Sequence, residues 1–129
     1  INLHWGYDNR TTGLRIPDAD PENYRIENRF PGADVNPYLS IAATLACGFL
    51  GMKNKVKPTK AYEGNAYEQD FDVPRNLEEA LRGLQENSEI TQIFGDKFIQ
   101  LYTSIKLVEF EQFNQVISSW EREHLLLNV

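Results

Sequence analysis

Residues 38–52, YLSIAATLACGFLGM, have almost no polar face. Asn36 before them suits a helix N-cap, and Pro37 suits the first helical position. Together these predict a helix that is apolar on nearly every side, and such a helix has to be enclosed within a larger body. A small self-standing binding domain is therefore disfavoured. The run is too short to span a bilayer comfortably and is broken by Gly48 and Gly51, so no membrane association is expected. Cys47 lies in the same run. As the only cysteine it can form no intramolecular disulfide, and its apolar neighbours predict a small core residue. A lone free thiol fits a reducing cytoplasm, which is the expected location. No signal peptide is visible. The chain opens on Ile1 rather than Met and a dense motif follows almost at once, which points to a piece of a longer protein.

All six prolines fall at or before Pro74. The chain thus reads as a turn-rich first part and a helical second part, with no internal repeat or low-complexity segment. Residues 2–7 and 13–16 are candidates for extended structure, separated by the polar loop DNRTTG. DADPEN is a turn cluster, and YRIENRF reads as a strand closed by Pro31 and Gly32. Lys53, Lys55, Lys57 and Lys60 cluster beside Pro58 and Gly64, as in a solvated loop. The net charge of −6 argues against non-specific nucleic-acid binding, which depends on neutralising phosphates.

Later, Asn76 and Glu79 have capping-box spacing, with Leu77, Ala80, Leu81 and Leu84 on one apolar face. Asp96 starts the longest predicted helix. Phe98, Tyr102, Ile105, Val108, Phe113, Val116 and Trp120 recur near the helical period and are expected to pack in a core. The final HLLLNV is either a last helical turn or an arm that docks on a neighbour. His4 and His124 lack metal-ligand spacing and are read as packing or surface residues.

Arg25, Glu27 and Arg29 alternate in NYRIENRFPGADVNPY, so an extended chain stands all three on one face. Arg10 and Arg15 precede them. The guanidinium fork binds carboxylate and phosphate through paired hydrogen bonds and stays charged at any ordinary pH. Four arginines around one carboxylate suit an anionic substrate plus a hard cation: Glu27 would offer oxygen to Mg²⁺ or Mn²⁺, and the arginines would hold phosphates. Residue spacing alone leaves a second reading open, in which the row is a surface ladder of weak cross-strand pairs. No glycine-rich phosphate loop and no nucleophile constellation is present.

NRTTGLRIP, followed by RIENRFPGADVNPYLSIAATLACGFLG, closely resembles the C-terminal catalytic region of the glutamine synthetase superfamily. The resemblance covers essentially the whole chain. It implies an α+β fold, with antiparallel strands (strand-rich 1–35) followed by packed helices (36–129). It also implies an enzyme that phosphorylates the γ-carboxylate of glutamate with ATP and lets an amine displace the phosphate. By the same resemblance, Glu27 matches the glutamate that ligates the metal nearer the nucleotide. Arg25 and Arg15 match arginines on the ATP side. Arg29 matches one that meets glutamate and its transferring phosphate, and Arg10 one that faces the γ-glutamyl phosphate. On this reading the row is a working face.

WGYDNR, ENRFPGADVNPY and SSWEREHLLLNV depart from typical glutamine synthetase and look like the γ-glutamylpolyamine (γ-glutamylputrescine) synthetase branch. There a primary amine or polyamine replaces ammonia. Ordinary glutamine synthetase and a non-catalytic structural relative are the rival readings, and retention of all five charged residues argues against the second. Tyr67 lies near where some bacterial relatives carry a regulatory adenylylation tyrosine, but is read here as a structural or exposed loop residue. The family's N-terminal β-grasp domain, its remaining metal ligands and most of its nucleotide pocket would precede this segment. Family active sites form between subunits of stacked rings. A homo-oligomer is therefore expected at full length, and no activity from the isolated segment.

Overall fold

The computed structural model describes residues 2–126. By its internal contacts the chain separates into two compact units, Ile1–Pro74 and Arg75–Val129. The division falls where the prolines end.

The first unit holds a three-stranded sheet in the order β1 (Trp5–Tyr7), β2 (Leu14–Ile16), β3 (Glu27–Asn28), followed by helix α1 (Pro37–Lys53). The α+β class, with strands before helices, matches the expectation. The sheet is mixed rather than antiparallel throughout, because β1 and β2 run parallel. Parallel neighbours usually need a long crossover. Here each strand has three residues and spans only about 7 Å, so the short loop between them can carry the chain back. Side chains staple that loop. Asn9 Oδ1 accepts from the N–H and hydroxyl of Thr11, and the Thr12 hydroxyl bonds to the carbonyls of Asn9 and Leu14.

β3 is antiparallel to β2, with Arg15 opposite Glu27 and Leu14 opposite Asn28. The strand expected over residues 24–30 is this short for a backbone reason. Continuing the register would set Arg25 opposite Pro17, which has no N–H for the ladder. The other end gains one further bond, from the N–H of Arg29 to Gly13 O at 2.9 Å.

Gly13 lies where three segments meet. A Cβ there would come within 2.4 Å of both Asn2 O and Phe30 Cζ. Backbone cannot yield as a flexible side chain can, so Gly13→Ala is expected to lower unfolding stability by about 2–3 kcal/mol. Denaturant titration of the full-length protein checks this; an unchanged midpoint contradicts the packing described.

Asn36 caps α1 by accepting from the N–H groups of Tyr38 and Leu39, with Pro37 at the first position, as predicted. Asn28 Nδ2 donates to Thr44 Oγ1 at 2.9 Å, which ties β3 to this helix. α1 therefore belongs with the strands rather than with the later helices. Among the described residues only Ala46 of α1 is buried, while Tyr38 is 83% and Met52 75% exposed. Cys47 is exposed too, contrary to the expectation of a core thiol, because nothing described here covers that apolar surface. The lysine-rich segment after α1 is exposed and irregular, and Tyr67 lies exposed on a short 3-10 turn, Ala66–Glu68.

The second unit packs α2 (Leu77–Glu86), α3 (Ser88–Phe94) and α4 (Asp96–Asn114) against one another, with α5 (Ser119–His124) after them. Asn76 caps α2 by accepting from Glu79 N–H. The Glu79 carboxylate reaches back to the N–H of Arg75 rather than to that of Asn76. The bond from the Arg75 N–H foremost, and then that from the Asn76 side-chain amide, hold the Glu79 carboxyl below the usual range.

The aromatic periodicity is only partly a core. Phe94, Phe98 and Tyr102 stack in series, and Ile99 and Thr103 are buried, but Ile105, Val108, Phe113, Val116 and Trp120 are exposed. Length explains this: α2 is about 15 Å long and α4 about 28 Å, so its partners cannot cover it. Trp120 also belongs to a new helix, started by a capping box between Ser118 and Glu121. His124 ends that helix, and residues 127–129 of the terminal run lie outside the described residues.

Candidate functional site

The β2–β3 register sets two residues twelve apart in sequence side by side. Arg15 Nη1 donates to Glu27 Oε2 at 2.7 Å, and Arg25 Nη2 to Glu27 Oε1 at 3.4 Å. The second terminal nitrogen of Arg15 pairs with Asp8. The Arg15 side chain is 12% exposed, Glu27 31% and Asp8 60%, so the cluster runs from a nearly covered guanidinium to a wet carboxylate. Among the described residues the buried Arg15 Nε has no hydrogen-bond partner.

Charge and hydrogen bonding agree on the state of this group. The hydrogen bond from Arg15 is the main cause that holds the Glu27 carboxyl below its usual range. Partial burial opposes it, and the charges of Arg15, Arg25 and Arg29 add to the lowering. Arg15 is raised in turn, first by its bond to Glu27 and then by that to Asp8. A carboxyl depressed on folding binds fewer protons folded than unfolded. Its stabilisation is therefore present above the ordinary carboxylate range and lost on acidification through the folded value.

The alternation read from YRIENRF thus brings Arg25, Glu27 and Arg29 together. Arg29 is exposed, its backbone sits on Gly13, and its charge acts on Glu27. Arg10 stands apart. It lines an open cavity of about 610 Å³ with Tyr7, Asp8, Asn9, Ala61, Tyr62, Glu63 and Gly64. Asn9 Nδ2 holds that rim by donating to Gly64 O at 2.9 Å and Tyr62 O at 3.3 Å, and Tyr62 stacks on His4. Asp8 borders the cavity and also pairs with Arg15, so it links the two regions. Reasoning from sequence did not single it out. Its place two residues before Arg10, within WGYDNR, is the signal that could have done so.

Among the described residues no group of three His, Cys, Asp or Glu side chains could hold a metal ion. Glu27 fits a divalent cation as one ionised oxygen donor, not as a complete site. The arginine forks fit phosphate or carboxylate oxygens. Among the described residues no helix is long and apolar enough to cross a membrane.

Residues 1–125 match the family model described as glutamine synthetase, catalytic domain. The chain is 40% identical over 124 residues to glutamate–isopropylamine ligase of Pseudomonas sp, covering 93% of this chain and 27% of that protein. It is 38% identical over 125 residues to γ-glutamylputrescine synthetase PuuA of Escherichia coli (strain K12), covering 96% and 26%. A solved structure, a GmaS/ADP complex, superposes with a TM-score of 0.84 at 29% identity, over 96% of this chain and 29% of that one. The chain thus spans about a quarter of the length of the curated relatives it matches.

Proposed function

We propose, from the premise that this chain belongs to the glutamine synthetase catalytic-domain family, that it builds one wall of an active site joining the γ-carboxylate of glutamate to an amine with ATP as co-substrate. The observation that carries this reading is the set of arginines gathered on Glu27. Phosphoryl transfer depends on positioning and on neutralising spread-out negative charge, and fixed guanidinium forks beside an ionised carboxylate supply both.

In this reading Glu27 contributes one oxygen to Mg²⁺ or Mn²⁺, which when bound neutralises phosphate charge. Arg15 and Arg25 orient nucleotide phosphates. Arg29 meets glutamate and the phosphoryl group passing to it, and Arg10 faces the γ-glutamyl phosphate. The remaining ligands come from the preceding part of the catalytic domain, and the other wall of the site from a neighbouring subunit of a homo-oligomer. The setting is the cytoplasm.

The acceptor in this proposal is a primary alkylamine or polyamine. Its support is the branch-like WGYDNR and SSWEREHLLLNV, and relatives named for isopropylamine and putrescine. The attacking nitrogen must be neutral, so the site has to desolvate and deprotonate an ammonium group. A longer amine also needs room for its alkyl chain. Specificity constants for ammonia, methylamine, putrescine and spermine, with glutamate and ATP saturating, test this. A primary amine or polyamine is expected to exceed ammonia by about tenfold or more. Ammonia ahead by a clear margin would return the protein to ordinary glutamine synthetase chemistry.

Arg29→Lys keeps the charge but replaces a planar fork by a point donor. A fall in kcat of about ten- to a hundredfold is expected, with little change in the KM for ATP. A raised KM for ATP alone would move Arg29 to the nucleotide side.

A further inference from the structure

The geometry points to Asp8 as a positioning residue that seats the other end of the Arg15 fork and offsets its charge, which leaves Glu27 better able to accept a divalent cation. This rests on the reading of Glu27 as a cation ligand. Both Glu27 oxygens receive guanidinium donors, Oε2 from Arg15 at 2.7 Å and Oε1 from Arg25 at 3.4 Å. A third arginine, Arg29, also acts on it by charge. With Glu27 as the sole anion, a divalent cation would meet occupied oxygens and an excess of positive charge. Asp8 changes the second condition. It gives Arg15 a second seat at the other end of its fork, and its charge offsets one of the arginines.

The backbone is arranged for this contact. Asp8 is one of two non-glycine residues with positive φ among those described, at 44°. Aspartate tolerates that region better than most residues. The Asp8 N–H donates to Ile16 O at 2.8 Å, which fixes the residue beside the strand that carries Arg15.

The test is Mn²⁺ binding to the full-length protein without nucleotide, by calorimetry, with melting temperature recorded alongside. Asp8→Asn keeps the shape and tolerates positive φ while deleting the charge. Asp8→Gly removes the charge and adopts positive φ without steric cost. Both are expected to raise the Mn²⁺ Kd by about tenfold, the lower end of what outer partners of metal ligands contribute. Asp8→Glu is expected to recover part of the affinity. In a Glu27→Gln background, Asp8→Asn should have no further effect on Kd. If either folded charge-deleting variant binds Mn²⁺ as the unaltered protein does, while Glu27→Gln weakens binding, the role of Asp8 is overturned and the ligand reading stands. If Glu27→Gln leaves Mn²⁺ binding unchanged, both fall.

Discussion

Glu27→Gln in the full-length protein is expected to weaken Mg²⁺ or Mn²⁺ binding and to lower turnover by at least about a hundredfold. Glutamine has nearly the same shape, so the backbone pairing of β2 and β3, which uses no side-chain atoms, persists. What disappears is the negative charge held below the usual carboxylate range by Arg15. Arg15 would keep its pair with Asp8, while Arg25 and Arg29 would lose the carboxylate on which their charges act. Metal titration alongside steady-state kinetics reads both consequences. An unchanged metal requirement at normal turnover would remove Glu27 from the ligand set.

The 129-residue chain on its own is expected to turn over no ATP and to form no γ-glutamyl product. It offers one oxygen donor and no complete metal-binding group among its described residues. It also spans about a quarter of the relatives it matches. Much of its apolar surface is open, including Tyr38, Ile41, Leu45, Phe49 and Met52 on α1. A sensitive assay for ADP release settles the matter. Steady turnover by the isolated chain, abolished by Glu27→Gln, would show that the remaining ligands are dispensable.

Several features were legible because they depend on residues a few positions apart. The Asn36 cap with Pro37 behind it and the Asn76 cap follow from local hydrogen bonding, whereas α4 starts at Asp96 behind Gly95 with no side-chain cap. Arg25 and Arg29 both act by charge on Glu27, in line with the two-residue period of an extended chain, while β3 itself covers Glu27–Asn28 alone. The family was legible only by resemblance, in NRTTGLRIP and RIENRFPGADVNPYLSIAATLACGFLG, and residues 1–125 match its catalytic-domain model.

Other features were set by partners far off in the chain. Parallel pairing of β1 with β2 needs a stapled loop and bonds such as Asn2 to Ala66 O and Trp5 Nε1 to Thr59 O, over separations no local pattern encodes. That pairing, with the left-handed turn at Asp8, is what places a second carboxylate on Arg15. Burial behaves the same way. Apolar periodicity marks which residues can be covered, but coverage depends on a neighbour of sufficient length, and α2 and α3 reach only part of α4. Local chemistry thus determined the caps and the charged row, whereas strand register determined that Asp8 meets Arg15.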